Sequence, residues 1–262
     1  MQGEEKIGYG DALMSMGEAK RLHARTKQKV LILRPDGMPV KSDLFNGVPY
    51  LARDKFDAVR CSRMINGPGA RPYIASKTDQ KWTWRAYAPE PAELAFTAAE
   101  KAFAEPYRGM VMLEPNVKAI GHRNKDWGPI NWQQLDSALH ALGGAAKIPT
   151  VQCAPQGSKF LLHVKRVPTS TFREACAVLS VCRAFVGSEG GLHHAAAAVG
   201  VPAVVIFGGF ISPAVTGYST HRNLFTGSGL GCGIRSDCQH CRASMLKITP
   251  ALVLETLKEI LK

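Results

Sequence analysis

The sequence contains no apolar run that approaches the roughly 20 residues of a membrane-spanning helix. It also lacks low-complexity segments and internal repeats. Of its 262 residues, 45% are hydrophobic and 21% are charged. Disordered, collagenous and membrane-embedded chains all depart strongly from such values. The sequence therefore predicts a globular protein with one large or two small domains.

The apolar core of a signal peptide is also missing, because the polar segment Met1–Lys6 is followed at once by Gly8, Gly10 and Asp11. Cysteine is sparse and odd in number, with seven residues. Four cysteines lie in or near apolar stretches, where a thiol behaves as a small hydrophobic group: Cys61, Cys153, Cys176 and Cys182. These features favour a reducing compartment, and we expect a cytoplasmic protein.

Acidic residues are few, since 21 of them stand against 33 lysines and arginines, and the net charge is +12. An excess of this size favours a polyanionic partner. A nucleic acid, a phosphorylated glycolipid and a nucleotide all fit that description, and charge alone does not choose among them. Peripheral contact with a membrane surface is compatible with the same charge.

The chain divides into an irregular first part and a regular second part. A helical spacing at 11–25 and an apolar strand at 29–33 precede a segment rich in Pro, Gly and aromatic residues, which has only weak strands such as 57–61. Helices and strands then alternate, with helices expected at 91–104, 132–142, 171–182, 191–199 and 250–261, and strands at 110–114, 150–153, 184–187 and 203–207. Alternation of this kind is typical of a parallel α/β sheet, which binds ligands beyond the carboxyl ends of its strands.

The segment from Phe185 to Pro202 carries the most informative pattern. An apolar strand ends at Glu189, and Gly190 and Gly191 open an alanine-rich helix. The first turn of a helix has unpaired N–H groups and the positive end of the helix dipole, and together they suit a phosphate. A tight structural turn explains the alanines, but it does not explain why an acid and two histidines crowd at one helix mouth.

This segment resembles glycosyltransferase family 9, the ADP-heptose:lipopolysaccharide heptosyltransferases and their relatives. The family pattern is an Asp, a small residue, Gly, two variable residues, His, and an alanine-rich stretch ending in Gly-x-Pro. The residues that fall on this pattern in register are Glu189, Gly190, Gly191, His194, Gly200 and Pro202. Glu189 stands where the family has Asp, which lengthens the side chain by one methylene.

Four further segments are similar to the family in the same order along the chain. Gly8-Tyr9-Gly10-Asp11 looks like its N-terminal Gly-x-Gly-Asp turn, and Lys125-Asp126-Trp127-Gly128-Pro129 looks like its Lys-x-Trp-Pro segment. Gly208 with Thr216-Gly217 resembles its Phe-Gly turn and downstream Thr-Gly. The stretch 241–250 resembles its cysteine-rich loop and the start of its last helix.

The resemblance implies an α/β fold of the GT-B type, with two Rossmann-like lobes. The N-terminal lobe is reduced here and comprises residues 1–105 on the acceptor side, and residues 106–262 form the lobe that binds the nucleotide sugar. The implied reaction is a metal-independent transfer with inversion from a nucleotide diphosphate sugar such as ADP-heptose, without a cofactor, as in lipopolysaccharide biosynthesis. We expect the acceptor to be a phosphorylated glycan or glycolipid.

The same resemblance assigns the site residues. Asp11, in a glycine turn at a helix start, is the candidate general base, although the ordinary role of such an aspartate is to cap the helix. Lys125 is the candidate clamp for the leaving phosphates. The complete set of donor-binding candidates is Gly10, Lys125, Glu189, Gly190, Gly191, His194, Thr216 and Gly217.

For two other groups of residues, the sequence leaves more than one role open. Arg71 either forks onto an acceptor or phosphate anion or belongs to a structural turn. Cys232, Cys238, His240 and Cys241 have the composition of a zinc site, but regular ligand pairs are absent, and we favour a thiol-packed or redox-sensitive loop.

Two alternative functions are kept. A nucleic-acid acceptor, with modification of DNA bases, would use the net charge and the aromatic stretch 73–87. A non-catalytic module that only binds nucleotide sugars would explain the reduced first half and Glu189. The sequence leaves the oligomeric state open.

Overall fold

The computed structural model of the protein describes residues 7–52, 62–65, 71–117, 123–142, 147–153, 158 and 160–262, with residues 62–65 as backbone only. The weak strand expected at 57–61 lies outside these ranges. Among the described helices, none combines the length and the apolar character needed to cross a membrane.

The described part of the N-terminal half contains one long helix, one short helix, a pair of parallel strands and a hairpin. Its elements are α1 (Tyr9–Thr26), β1 (Val30–Leu33), β2 (Ser62–Ile65), β3 (Ile74–Lys77), β4 (Trp82–Trp84) and α2 (Ala98–Ala104). β1 and β2 pair in parallel, and β3 and β4 form an antiparallel pair. α1 buries Leu13, Met16 and Ala19, because residues three or four apart lie on one face of a helix.

The C-terminal half is a six-stranded parallel sheet with helices. Its strands are β5 (Val111–Glu114), β6 (Thr150–Cys153), β7 (Lys165–Val167), β8 (Ala184–Ser188), β9 (Ala203–Gly208) and β10 (Arg222–Phe225). Its helices are α3 (Pro129–His140), α4 (Phe172–Val181), α5 (Gly191–Ala198), α6 (Pro213–Thr216), α7 (Gln239–Leu246) and α8 (Pro250–Ile260). Every residue of β8 and β9 is buried, as expected for central strands covered on both faces. The parallel α/β prediction is confirmed.

The strand order fixes where a ligand can bind. The order across the sheet is β10-β9-β8-β5-β6-β7, so the chain runs outward from β5 to β7 and then returns to place β8 beside β5. The strand order therefore reverses between β5 and β8, and the crevice beyond the carboxyl ends of these two strands is the usual ligand site of such a sheet. Lys125 follows β5 along the chain, and Glu189 follows β8 directly.

The structure differs from the sequence prediction at several short elements. The helix expected at 91–104 begins only at Ala98, because Thr97 and Glu100 form a capping box that fixes its start. Residues 91–97 have no regular secondary structure. β7, β10, α6 and α7 were not predicted from the sequence, because they are short and lack a clear apolar period.

Residues from both halves of the chain share one apolar core. The Tyr9 ring at the start of α1 stacks on the Phe172 ring at the start of α4, with 4.2 Å between centroids and 7° between planes. Arg173 is buried and reaches back to α2, where its Nε and Nη2 atoms donate to the Glu100 carboxylate at 2.7 and 2.9 Å. It also donates to the Asp43 and Ala95 carbonyl oxygens. Arg173 thus ties three N-terminal segments to the C-terminal half.

The Glu100–Arg173 pair predicts a pH-dependent stability. Hydrogen bonds from Arg173 hold the pKa of Glu100 at about 2, below its ordinary 4.5. Because the folded state favours the ionised carboxylate, this contribution is complete above pH 4.5 and is lost as the pH falls towards 2. We expect Glu100→Gln to lower the free energy of unfolding by about 2 kcal/mol at pH 7, and the deficit to shrink towards pH 3 in urea titrations.

The matched control is Glu105→Gln. Glu105 pairs with Arg108 on the surface, where its side chain is 58% exposed, and exposed pairs contribute little. A deficit for Glu100→Gln that is equal at pH 7 and pH 3 would contradict the prediction.

Candidate functional site

The first turns of α1 and α5 meet at the crevice where the strand order reverses. A Cβ atom at Gly10 would lie 3.0 Å from His194 Cδ2 and 3.8 Å from the Gly191 Cα atom. A Cβ atom at Gly191 would lie 3.1 Å from the Phe172 ring. The two glycines therefore allow a contact between the two helix starts that larger side chains would push apart. This contact brings Asp11, in the first turn of α1, beside the glycine turn of α5.

Glu189 is the buried acid of this site, with its side chain 5% exposed. Its carboxylate accepts a hydrogen bond from Lys125 Nζ, and its Oε1 atom lies 3.9 Å from His194 Nε2. Burial raises the pKa of Glu189, but the positive charge of Lys125 and its hydrogen bond to the carboxylate outweigh burial and bring the pKa below its ordinary value. Glu189 is therefore an anion at neutral pH, and Lys125 is its counter-ion.

His193 and His194 are both buried in the first turn of α5. The Gly190 N–H donates to His193 Nδ1 at 3.1 Å, and His193 Nε2 lies 2.9 Å from the Thr216 carbonyl oxygen. His194 Nδ1 lies 2.9 Å from the Tyr218 hydroxyl. Burial lowers the pKa of both histidines, so the rings are neutral at pH 7. Through these contacts, the two rings connect the segment at the end of α6 with the first turn of α5.

Asp11 is held by two partners from the segment before β3. Arg71 Nη2 lies 2.5 Å from Asp11 Oδ2, and the Tyr73 hydroxyl donates a hydrogen bond to Asp11 Oδ1. Burial raises the pKa of Asp11, whereas Arg71 and Tyr73 act in the opposite direction and only partly offset it. A carboxylate with a raised pKa that is still fixed by an arginine and a tyrosine has the properties of a proton acceptor.

Two clusters in the described residues have ligand types that a metal ion accepts. Glu189, His193 and His194 lie together, as do Cys232, Cys238, His240 and Cys241, with the ligand atoms in each group within 4.8 Å of one another. The first cluster does not suit a metal, because both ring nitrogens of His193 contact backbone atoms and Glu189 is paired with Lys125. In the second cluster the three cysteines are not joined by disulfide bonds.

The structure brings most of the predicted site residues to one place. Gly10, Asp11, Lys125, Glu189, Gly190, Gly191, His194 and Arg71 surround the meeting point of α1 and α5. Thr216 contributes its carbonyl to His193 at the end of α6. Gly217 closes α6, where a Cβ atom would lie 2.7 Å from the Pro213 carbonyl oxygen, so its role here is a close backbone approach.

Tyr73 and Tyr218 belong to the site but were missed by the sequence analysis. Tyr73 lies two residues after Arg71, and Tyr218 follows Thr216-Gly217 directly. Buried tyrosines usually need a partner for the hydroxyl, and their closeness to two candidate residues was the available signal. The pairing of Arg71 with Asp11 was also not expected.

Comparison with known proteins confirms the family resemblance seen in the sequence motifs. The model of one protein family, described as Glycosyltransferase family 9 (heptosyltransferase), matches residues 78–241, which is more than half of the chain. A search of curated proteins gave no match.

Solved structures with a similar fold include two glycosyltransferases from Escherichia coli. The Escherichia coli ADP-heptose LPS heptosyltransferase II is 19% identical with a TM-score of 0.51, and the alignment covers 95% of this chain and 82% of the other. TibC, an iron-containing dodecameric glycosyltransferase from enterotoxigenic E. coli H10407, is 15% identical with a TM-score of 0.62, and the alignment covers 97% and 76%. The fold is therefore the expected α/β fold of the GT-B type.

Proposed function

The chain belongs to glycosyltransferase family 9, the heptosyltransferase family, and from this membership we propose that it transfers heptose from ADP-heptose to a hydroxyl of a phosphorylated glycan or glycolipid. Residues 1–105 would face the acceptor, and residues 106–262 would hold the donor. The observation that carries the proposal is the contact of Gly10 with His194, which sets the candidate base Asp11 beside the candidate phosphate site at the start of α5.

The donor diphosphate would bind at the mouth of α5. The first N–H groups of that helix are unpaired within the helix and lie at its positive end, which favours an anion. Lys125 Nζ lies beside the same mouth through its bond to Glu189, and its side chain is 27% exposed. The ammonium group is thus close to the crevice and has protons left to donate to a phosphate oxygen.

The reaction would be a direct displacement at the anomeric carbon. The acceptor oxygen forms a bond to that carbon, the bond from the carbon to the diphosphate oxygen breaks, and the acceptor proton passes to Asp11. One displacement inverts the anomeric configuration. The charge that develops on the leaving diphosphate is stabilised by Lys125 and by the N–H groups of α5, which supports a reaction without a metal ion at the diphosphate.

Arg71 and Tyr73 would position Asp11 and meet the acceptor. The Nε atom of Arg71 is buried and has no hydrogen-bond partner within the described residues. The Arg71 side chain is 15% exposed, and its permanent positive charge favours an anionic acceptor such as a phosphate at this point of the site. The acceptor class in the proposal therefore rests on Arg71.

The proposal is tested by mass spectrometry of the purified protein with a panel of nucleotide sugars. We expect ADP-heptose to be consumed, with the sugar appearing on a phosphorylated glycan or on water. Consumption of another nucleotide sugar instead would contradict the assignment of ADP-heptose as the donor. Binding of ADP without turnover of any donor would overturn the assignment of Asp11 as a working base.

Tyr73→Phe should lower the transfer rate about tenfold and shift the acid limb of its pH profile to higher pH. The Tyr73 hydroxyl donates to the ionised form of Asp11 and so lowers the pKa of that carboxyl. Without this bond, the pKa of Asp11 rises further, and more of the base is protonated at a given pH. The measurement is kcat against pH, with Tyr87→Phe as a control on the neighbouring ring. An unshifted pH profile would show that the Tyr73 hydroxyl does not influence the pKa of Asp11.

A further inference from the structure

Four side chains from the loop after β10 and from the first turn of α7 gather into one small cluster. They are Cys232, Cys238, His240 and Cys241. The Cys232 sulfur lies 3.1 Å from the Cys241 sulfur and 4.0 Å from the Cys238 sulfur. Two thiolates that share one tetrahedral zinc ion are separated by about 3.8 Å, because each Zn–S bond is about 2.3 Å. The Cys232–Cys238 separation agrees with this value. The Cys232–Cys241 separation is about 0.7 Å shorter, so these two sulfurs would move apart when a metal binds. The four residues thus lie close enough to share one ion, although their sequence spacing is irregular.

The backbone around Cys232 is built to hold this spacing. Gly231 and Gly233 have φ angles of 97° and 64°, which favour glycine on both sides of the cysteine. The N–H groups of Cys232 and Gly233 donate to the carbonyl oxygens of Gly209 and Phe210, each at 3.0 Å. The ring of His240 covers Gly209, where a Cβ atom would lie 2.9 Å from its Cε1 atom.

A buried asparagine connects the cluster to the candidate donor site. Asn124 is 1% exposed, and its amide donates to the carbonyl oxygens of Ile234 and Ser236 at 2.7 and 2.9 Å. Its Oδ1 atom accepts the Cys238 N–H at 3.1 Å. The next residue is Lys125, which pairs with Glu189 and lies 5.3 Å from the centre of the Phe210 ring. Two neighbours of Lys125, Asn124 and Phe210, also form hydrogen bonds with residues 233–238, which we call the cysteine loop. The position of Lys125 thus depends on the position of this loop.

We propose that Cys232, Cys238, His240 and Cys241 bind one Zn²⁺ ion, and that the ion fixes the cysteine loop and, through Asn124 and Phe210, the position of Lys125. Three thiolates and one imidazole form a complete set of four ligands, so the site is closed and structural. Its function would be to keep Lys125 at the diphosphate site. This second part rests on the proposed function, whereas the metal site does not.

The first experiment measures metal content. The full chain, purified under reducing conditions without chelator, is analysed by inductively coupled plasma mass spectrometry. We expect close to one zinc per chain, and loss of most of it in the double variant Cys232→Ser, Cys241→Ser. Cys182→Ser is the control, because this thiol lies outside the cluster and donates to the Val178 carbonyl oxygen, as a serine also can. Stoichiometric iron in place of zinc would overturn the metal assigned.

A second measurement keeps the proposal testable if the double variant does not fold. Wild-type protein is stripped with a chelator and titrated with Co²⁺, which gives strong visible absorption when thiolates bind it tetrahedrally. Absence of that absorption, or a disulfide between Cys232 and Cys241 in protein kept under reducing conditions, would overturn the metal site.

The link to Lys125 is tested with ADP as the probe in calorimetry. We expect ADP affinity to fall about tenfold on removal of the metal and to return when Zn²⁺ is added, which is the size of one lost charge-assisted hydrogen bond. Asn124→Ala should keep the zinc and lose the same affinity. Zinc binding with unchanged ADP affinity would overturn only the link. If the wild type does not bind ADP at all, the proposed function fails while the metal result stands.

Discussion

Replacing Asp11 with asparagine should lower the rate of sugar transfer by about 10²-fold or more, the usual cost of a lost general base. Asparagine has nearly the same shape and can still accept the hydrogen bond from Tyr73, but it cannot take the acceptor proton. ADP affinity should be unchanged or slightly higher, because Arg71 loses its internal counter-ion. The expected result is therefore a large fall in kcat with little change in donor binding.

The measurement is a transfer assay beside calorimetry with ADP and a thermal melt. Asp36→Asn is the matched control, since Asp36 pairs with Arg34 in an exposed turn where its side chain is 51% exposed. A wild-type transfer rate in Asp11→Asn would reduce Asp11 to an ordinary residue of the first helical turn.

Replacing Lys125 with methionine should affect both stability and donor binding. Glu189 would be left as a buried carboxylate without its counter-ion, which costs about 2 kcal/mol or more of unfolding free energy. The pKa of Glu189 would rise, because burial is then less opposed. A raised folded-state pKa favours the protonated form, so the variant should regain stability as the pH is lowered from 7 to 5.

A second variant separates the two effects. In Lys125→Met, Glu189→Gln, the buried charge is gone, and we expect stability to return towards that of the wild type while ADP binding stays at least tenfold weaker. Lys258→Met is the control, because Lys258 pairs with Glu255 on the exposed surface of α8. Wild-type ADP affinity in the double variant would show that Lys125 does not contact the diphosphate.

Much of the fold follows from local patterns. β8, α5 and β9 are predicted within one residue of their ends, because an uninterrupted apolar strand, a glycine turn and an alanine-rich helix each have a strong and simple period. The helix at 91–104 is partly wrong, since the capping box at Thr97 determines its start more strongly than the apolar spacing before it. β7 and β10 are edge strands of the sheet, and their exposed positions leave little hydrophobic pattern to detect.

The candidate site was accessible from the sequence only where its residues lie in motifs. Asp11, Lys125 and the 189–194 segment stand in such motifs, and the structure brings them together. The Tyr73–Asp11 hydrogen bond joins residues 62 positions apart, and no local period can reveal it. The hydrogen bonds of Asn124 span more than 100 residues and are equally invisible. The roles of all these residues stay predictions, as does the division of the chain near residue 105.

The stack of Tyr9 on Phe172 and the contact of α1 with α5 bear on how the protein unfolds. If the two halves of the chain shared no core, each would unfold independently of the other. Here, however, the first helix covers apolar surface of the second half. Loss of α1 would expose the starts of α4 and α5 to water. The two halves should therefore unfold as one cooperative unit. Damage to the first 26 residues should weaken the proposed binding of ADP at the start of α5 and also remove the candidate base Asp11.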